Sequence, residues 1–315
     1  MPVLFRHLDD LPERFRGGAV SIGNFDGVHK GHARIAERLL ALARQQGGPA
    51  VVLTFDPHPA RILRPEQAPT PLAWTERNAE MLESLGVDAV VAYPTDRALL
   101  EMEAREFFDR IVCDKLRARG MVEGQNFFFG HHRRGTIEVL EQFCGAAGTA
   151  LDVVEPLVID GQTVSSSRVR GLISGGRVDE ALRLLTRPYR IRGQVVHGQG
   201  RGNRLGFPTA NVEGIDTLLP GEGIYAGRAW LGELAYPTAM SLGPNPTFDE
   251  AALKVEAFLL DFHGDLYGQP IEIDFLARLR NIKRFESAEQ LVAQMSQDVE
   301  RTRAIAAGSE LESRL

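Results

Sequence analysis

The feature that most constrains the fold is a regular alternation of short apolar runs and helix-like segments between residues 19 and 155. The apolar runs are AVSIG, AVVLTF, DAVVAYP, GMVEG and ALDVVEP, and segments with helical spacing of apolar residues lie between them. Runs rich in Val and Leu that do not alternate with polar residues are typical of strands buried on both faces. The pattern predicts a doubly wound α/β fold with a parallel sheet, on which ligands bind beyond the carboxyl ends of the strands.

The second half of the chain has a different pattern. After two helix-like segments, SRVRGLISGG and VDEALRLLT, the chain from Tyr189 onward consists of strand-like pieces broken by Gly and Pro. This pattern predicts a small antiparallel β-barrel or a compact sandwich, closed by a C-terminal helix over roughly residues 286–307. Ser287 with Gln290 three residues later fits the N-terminal cap of that helix. Pro188 in LLTRPYR marks the boundary, so the predicted domains are 1–186 and 187–315.

Composition excludes several classes of protein. The chain of 315 residues is 43% hydrophobic, which is typical of a globular protein, and its net charge of −6 gives no general attraction to nucleic acid or anionic membranes. Two cysteines exclude a disulfide framework, and charges in the first residues argue against a signal peptide. We therefore expect a cytoplasmic protein whose partners are small molecules, with no nucleic acid or membrane partner. The sequence leaves the oligomeric state open, and a homo-oligomer is one alternative.

The first candidate site is the stretch SIGNFDGVHKGH, where a strand ends in a glycine-rich loop and a helix begins. Gly23 and Gly27 allow the backbone to approach a ligand closely and to present N–H groups to an anion. The following helix directs its positive N-terminal end at the same place. His29 and His32 are three residues apart, so they share one helix face with Cβ atoms roughly 5–6 Å apart. Two such donors suit the oxygens of a polyphosphate, and the stretch predicts a nucleotide site.

Competing interpretations of this stretch lack their own motifs. The chain contains no GxxxxGK[ST] and no GxGxxG, so a P-loop and a dinucleotide fingerprint are absent, and the histidine pair lacks the glutamate of HExxH. The remaining alternative is that the two histidines are incidental surface residues.

Four stretches together resemble a known family. GNFDGVHKGH resembles the HxGH-bearing loop of the nucleotidylyltransferase superfamily and, more narrowly, the adenylyltransferase module of bacterial bifunctional FAD synthetases. LTFDPHP, GQNFFFG and VSSSRVR resemble further segments of that module in the same order. The resemblance implies that His29 and His32 brace the leaving pyrophosphate. It implies ATP binding by Gly23, Asn24, Phe25, Asp26, Gly27, Ser166, Ser167 and Arg170, and flavin binding by Asp56, His58 and Asn126.

The sequence departs from the family pattern after GQNFFFG. A short basic and glycine-rich stretch is usual there, whereas this chain has HHRRGT. His131 and His132 are expected to be mobile loop residues and not ligands.

The second candidate site lies in the C-terminal half. Thr209 and Asn211 alternate with Ala210, so both side chains leave one face of a strand. A hydroxyl and an amide oxygen are hard neutral ligands that suit a Mg²⁺ ion retaining water and substrate phosphates. Glu256 interrupts the apolar run LKVEAFLLDF, where a carboxylate is costly unless it has a partner or a chemical role, such as general base. The alternatives are an ordinary edge-strand turn and a solvent-facing glutamate.

The second half resembles the riboflavin kinase module of the same family. The matching stretches are GFPTAN, GIYAG, SLGPNPTF, VEAFLLDFHGDLYG and LARLRNIKRF. The resemblance implies that Thr209 and Asn211 hold Mg²⁺ and ATP, that Glu256 deprotonates the ribityl hydroxyl, and that Arg280 lies near the flavin. It also implies an ATP-binding flap in RGNRLG and the glycine before it, with Gly200, Arg201, Gly202 and Gly206.

The predicted function is therefore a two-step synthesis of FAD from riboflavin. The C-terminal domain phosphorylates riboflavin with ATP to give FMN, and the N-terminal domain adenylates FMN to FAD with release of pyrophosphate. The alternatives are an adenylyltransferase for another phosphorylated acceptor and a flavin-binding regulator without activity. A serine hydrolase is disfavoured, because PNP follows AMSLG where a helix would have to begin.

Overall fold

The computed structural model describes residues 4–198, 202, 205–245 and 250–312. The chain divides into two units, Met1–Ser166 and Ser167–Leu315. The predicted domain boundary after residue 186 lies further along the chain, beyond two short helices, and it stays a prediction.

The first unit is built on a six-stranded sheet. Its strands are β1 (Leu4–Phe5), β2 (Ala19–Ile22), β3 (Ala50–Asp56), β4 (Ala89–Pro94), β5 (Gly120–Gly124) and β6 (Ala150–Val154). They lie in the order β1-β4-β3-β2-β5-β6, and every pairing is parallel. The chain leaves β2 toward β3 on one side and places β5 on the other. The carboxyl end of β2 is therefore the topological switch point, where such sheets bind ligands.

Helices connect these strands. The first, α1, spans Lys30–Gln46 and buries Ala36, Leu39 and Ala43, which recur every three or four residues, and Gly47 ends it with a positive φ of 63°. The others are α2 (Ala60–Leu63), α3 (Thr75–Ser84), α4 (Arg97–Glu101), α5 (Ala104–Phe107) with its π-helical continuation Phe108–Lys115, and α6 (Ile137–Ala147). A short hairpin, β7 (Val158–Ile159) and β8 (Gln162–Thr163), follows β6.

Both faces of the sheet are buried. On one face Val20 and Ile22 belong to one apolar cluster, and on the other face Ala19 packs with Val52 and Val122 in a second cluster. Burial on both sides explains why the strands are apolar without alternation. The predicted doubly wound parallel sheet is confirmed.

The second unit contains two helices and a barrel. The helices are α7 (Ser166–Ser174), which begins at the division between the units, and α8 (Val178–Leu184). The strands are β9 (Tyr189–Val196), β10 (Ala210–Glu213), β11 (Gly223–Leu231), β12 (Leu234–Asn245), β13 (Glu250–Leu259) and β14 (Pro270–Arg280). They form a closed barrel in the order β10-β13-β12-β11-β14-β9, because β9 also pairs with β10. Of the two predicted alternatives, the barrel is correct.

The final helix, α9, spans Ala288–Glu312. Ser287 Oγ accepts a hydrogen bond from the Gln290 amide (3.4 Å), and Gln290 Oε1 accepts one from the Glu286 amide (3.4 Å). The predicted cap at Ser287 is confirmed, although the helix runs beyond residue 307. In the part of the chain that the structure describes, no helix combines the length and apolar composition needed to cross a bilayer.

Candidate functional site

A cavity of about 330 Å³ opens at the carboxyl ends of β2, β5 and β6, beside the start of α1. Strand ends that part at a switch point leave such a crevice. Of the residues predicted to bind nucleotide or flavin, seven line this cavity: Gly23, Asn24, Phe25, His29, His32, Asn126 and Ser166.

His29 is the N-terminal cap of α1. Its Nδ1 atom accepts a hydrogen bond from the His32 amide (3.2 Å), so Nδ1 carries a lone pair and the ring proton lies on Nε2. The two imidazoles stack with ring centroids 3.7 Å apart. A Cβ atom at Gly31 would lie 3.1 Å from two atoms of the His29 ring, so glycine leaves room for this arrangement. Helix capping thus fixes both the position and the tautomer of His29.

His32 is held in its neutral form. Its Nδ1 atom is buried without a hydrogen-bond partner in the described part of the protein. Burial lowers the pKa of His32 well below the ordinary value of 6.5, and the neighbouring His29 lowers this pKa further. An unpaired buried ring nitrogen on the wall of a cavity is a place where a bound ligand can supply the missing partner.

Asp26 and Gly27 shape the loop but do not line the cavity. The Asp26 carboxylate accepts hydrogen bonds from the amides of Leu72 (3.0 Å) and Ala73 (3.1 Å). Gly27 has a φ of 78°, and a Cβ atom there would lie 2.9 Å from Leu72. Its amide donates to Asn78 Oδ1 (2.9 Å). Both residues hold the glycine loop against the segment before α3, and their predicted contacts with ATP stay predictions.

The serine motif VSSSRVR reaches the cavity with its first three residues, Val164, Ser165 and Ser166. Ser166 Oγ donates to the backbone carbonyl of Asp26 (3.0 Å), which ties the start of α7 to the glycine loop. Ser167 and Arg170 lie on α7 in the second unit. Their predicted binding of triphosphate stays a prediction.

Two predicted flavin residues lie outside the cavity lining. Asp56 accepts a hydrogen bond from Thr75 Oγ1 (2.8 Å) and forms an ion pair with Arg6 (2.6 Å). His58 Nδ1 accepts from the first amide of α2 (3.1 Å). These contacts organise the turn after β3, and a flavin contact by either side chain stays a prediction.

One cavity residue was missed by sequence reasoning. Glu123 at the end of β5 is only 2% exposed, and its Oε1 atom accepts a hydrogen bond from the Ile22 amide (2.7 Å). Burial raises the pKa of this carboxyl well above its ordinary value of 4.5. The signal was present in GMVEG, where a carboxylate interrupts an apolar run, as Glu256 does in the second half.

The segment HHRRGT, which departs from the family pattern, lies in a loop whose flanking residues are hydrogen-bonded to each other. Phe129 and Gly135 exchange two backbone hydrogen bonds of 3.0 and 2.9 Å. The rings of His131 and His132 stack 3.8 Å apart, and His131 Nδ1 lies 3.5 Å from a carboxylate oxygen of Glu103. The prediction that these histidines are not ligands stays a prediction.

Two of the predicted kinase residues, Asn211 and Glu256, are neighbours on the outer side of the barrel. Asn211 on β10 pairs directly with Glu256 on β13, which also pairs with Ser241 on β12. Ala210, before Asn211 in the strand, is buried, whereas Asn211 and Glu256 are half-buried, so both face away from the barrel interior. Asn211 also lines a second cavity, of about 850 Å³, together with Lys254; neither Thr209 nor Glu256 lines that cavity.

Part of the predicted flap can be described. A Cβ atom at Gly202 would lie 2.3 Å from the Phe207 carbonyl oxygen and 3.0 Å from Thr209 Oγ1, and Gly206 has a φ of 85°. Glycine is therefore required where the flap passes Thr209. Gly200 and Arg201 lie outside the described residues.

Arg280 is engaged by the C-terminal helix. Its guanidinium forms an ion pair with Asp298, with nitrogen–oxygen distances of 2.7 to 3.2 Å, and the Asp298 side chain is 5% exposed. The arginine therefore anchors α9 to the barrel, and its predicted flavin contact stays a prediction.

Comparison with known proteins matches each half of the chain to a family model. Residues 11–168 match the FAD synthetase model, and residues 185–306 match the riboflavin kinase model. The chain is 37% identical to the bifunctional riboflavin kinase/FMN adenylyltransferase of Pseudomonas fluorescens, over 97% of this chain and 98% of the relative. It is 32% identical to the protein of the same name from Escherichia coli strain K12, over 94% and 95%. A crystal structure of a macrolide-efflux protein from Streptococcus pneumoniae matches with a TM-score of 0.84 and 30% identity, over 96% of this chain and 98% of that one.

The parallel α/β unit, with a cavity at its switch point, matches the FAD synthetase model, and the unit with the closed barrel matches the riboflavin kinase model, so the chain is a transferase. The chain belongs to the family of bifunctional riboflavin kinase/FMN adenylyltransferases. It has both activities and makes FAD from riboflavin, with ATP as co-substrate and FMN as the intermediate. The family, the fold class and the function predicted from the sequence are confirmed.

Proposed function

We propose that the two reactions take place at two separate sites with the residues described above. Adenylyl transfer occurs at the cavity beside α1, and phosphoryl transfer to riboflavin occurs on the barrel face that carries Asn211 and Glu256. The observation that carries the first assignment is the stacked His29–His32 pair on the cavity wall, with His29 fixed by the helix cap.

In the adenylyl-transfer site, an oxygen of the FMN phosphate attacks the α-phosphorus of ATP. The bond from that phosphorus to the bridging oxygen breaks, and pyrophosphate leaves with the negative charge. The Nε2–H of His29 donates to an oxygen of the departing pyrophosphate, and His32 supports it as a neutral ring. A preorganised donor of this kind contributes about 10²–10³ in rate, and positioning of the two phosphates supplies much of the rest.

In the kinase site, the donors fit Mg²⁺. The Thr209 hydroxyl and the Asn211 amide oxygen come from residues two positions apart, on either side of Ala210, and both are ligands that suit Mg²⁺. Glu256 pairs with Asn211 across the two strands. Thr209 and Asn211 would hold the ion, which when bound neutralises charge on the ATP phosphates. Glu256 accepts the proton of the ribityl hydroxyl as that oxygen attacks the γ-phosphorus, a contribution of about 10²–10⁴ in rate. The bond from the γ-phosphorus to the bridging oxygen breaks, and ADP leaves with the negative charge.

The remaining predicted contacts complete the proposal. The enzyme is proposed to act in the cytoplasm, where ATP is available, and as a monomer or a homo-oligomer. In the first half, triphosphate binding is assigned to Ser166, Ser167 and Arg170, and flavin binding is assigned to Asp56, His58 and Asn126. In the second half, flavin binding is assigned to Arg280. The ATP flap is assigned to Gly200, Arg201, Gly202 and Gly206.

The assignment of the two reactions to two separate sites is tested on the full chain with single substitutions. Each variant is incubated with riboflavin, ATP and Mg²⁺, and separately with FMN, ATP and Mg²⁺, and the flavins are separated by chromatography. His29→Ala is expected to accumulate FMN and make little FAD. Glu256→Ala, with Glu256→Gln as the isosteric control that also lacks a base, is expected to leave riboflavin unchanged but to convert added FMN to FAD. If either substitution abolished both conversions in a folded protein, the proposal would be wrong.

A further inference from the structure

The strands β2 and β5 part before they reach their carboxyl ends. Their pairing consists of Ala19 with Gly120 and Val20 with Met121, and no further pair follows. Beyond that point, the Ile22 amide is bonded to the Glu123 side chain (2.7 Å) and the next amide, of Gly23, donates to Leu53 on β3 (3.0 Å). A side-chain carboxyl thus takes the place of the missing ladder bond where the cavity opens.

We propose that Glu123 is a positioning residue of the adenylyl-transfer site, and that as the neutral acid it bridges the parting strands and fixes the Ile22 amide and the glycine loop after it. The inference rests on the proposed function of this cavity and names a residue and a form of regulation for it. Glu123 lines the same cavity as His29 and His32, although it lies on a different strand. It does not touch the reacting atoms in this proposal.

Burial favours the neutral form of Glu123 and raises its pKa, whereas the hydrogen bond from the Ile22 amide favours the ionised form, and burial is the larger of the two effects. The titratable groups that line the cavity with Glu123 are His29 at the cap of α1, His32 on α1 and Glu155 after β6, and the Cys144 thiol on α6 is also near Glu123. The pKa of the Cys144 thiol is raised to about 12, chiefly by burial, with the nearby Glu123 a further cause, so the thiol carries no charge at neutral pH. None of the described residues that line the cavity is Lys or Arg, so an ionised Glu123 would have no cation beside it there.

The expected consequence is a pH dependence confined to one of the two reactions. Loss of the Glu123 proton would place a buried negative charge at the cavity where the ATP phosphates are proposed to bind, and like charges repel. The KM for ATP in FAD formation should therefore rise at alkaline pH, by up to about tenfold per pH unit above the pKa of Glu123. The KM for ATP in riboflavin phosphorylation should not follow this rise.

The test measures both reactions of the full chain with ATP and Mg²⁺ over roughly pH 6 to 9.5, a window that lies above the ordinary pKa of a carboxyl group. Glu123→Gln keeps an oxygen that can accept from the Ile22 amide but cannot ionise, so its KM for ATP in FAD formation should stay constant over this range. Glu123→Val removes the acceptor as well, and should lower kcat at every pH. Thermal unfolding of the same preparations, followed by circular dichroism, reports whether the first unit of each variant is folded, because kinase activity reports on the second unit only.

The outcomes separate this inference from the proposed function. If Glu123→Gln keeps the wild-type rise in KM, or if the wild-type chain shows no rise in FAD formation relative to phosphorylation, the inference is refuted. If His29→Ala retains FAD formation, the proposed site itself is wrong. Should Glu123→Gln fail to fold, the wild-type ratio of the two KM values across the pH range decides the question alone.

Discussion

The two roles of His29, helix cap and hydrogen-bond donor to pyrophosphate, can be separated by comparing two substitutions. His29→Ala removes both the Nδ1 acceptor for the His32 amide and the Nε2–H donor. His29→Asn also removes the donor, but Asn is a preferred N-cap residue whose side-chain oxygen can accept from the same amide. Loss of a cap costs about 1 kcal/mol, whereas loss of one preorganised donor costs about 2.7–4 kcal/mol in the transition state.

We therefore expect His29→Ala to be about 1 kcal/mol less stable than His29→Asn in denaturant unfolding, while both lose about 10²–10³ in kcat for FAD formation. The assay follows FAD from FMN and ATP by chromatography, with riboflavin phosphorylation as the control for an intact second site. If His29→Asn restored FAD formation to within a few-fold of wild type, the imidazole would be needed only as a cap, and the reasoning about pyrophosphate would be refuted.

Three further predictions concern stability. Asp298→Ala leaves the Arg280 guanidinium without the buried Asp298 carboxylate. The free energy of unfolding, measured by denaturant titration, should fall by about 3 kcal/mol. A fall of less than about 1 kcal/mol, as for an exposed ion pair, would contradict a structural role for the pair. Gly27→Ala forces a side chain to a φ of 78° against Leu72 and should cost about 1–3 kcal/mol, so an unchanged thermal midpoint would show that the loop has another conformation. Burial raises the pKa of Glu123, so the folded chain holds this proton more tightly than the unfolded chain does. Proton binding at Glu123 therefore stabilises the fold fully below pH 4.5, and this contribution to the free energy of unfolding is lost as pH rises through the raised pKa. Glu123→Gln should reduce that decline, and equal slopes of stability against pH for both proteins would count against a raised pKa.

The parts of the fold that the sequence predicts are those with a local signal. Apolar runs without alternation indicated buried parallel strands, and the glycine loop before His29 located the cavity. The motif GNFDGVHKGH also led to the correct family. Such signals depend on the spacing of neighbouring residues, which the sequence shows directly.

The parts that the sequence did not predict are contacts between distant residues. The bond from the Ile22 amide to Glu123 spans 101 positions, and the bonds from Asp26 to the segment before α3 span 46 and 47. The motif predicts ATP binding by Asp26, which stays a prediction, but it gives no sign that the Asp26 carboxylate accepts hydrogen bonds from the amides of Leu72 and Ala73. Only the tertiary fold decides whether a polar side chain near a motif serves the ligand or the loop that holds the ligand.

Because the strands of the barrel form a closed ring, the proposed kinase site depends on the strand register. Asn211 and Glu256 meet through one register, and every strand of the ring is hydrogen-bonded on both sides. Deleting a single residue of β13 ahead of Glu256 would move that side chain one position along the strand, to the inward-facing place that Val255 now occupies. Changes in length should therefore be far better tolerated in the loops of this half than inside any of its strands.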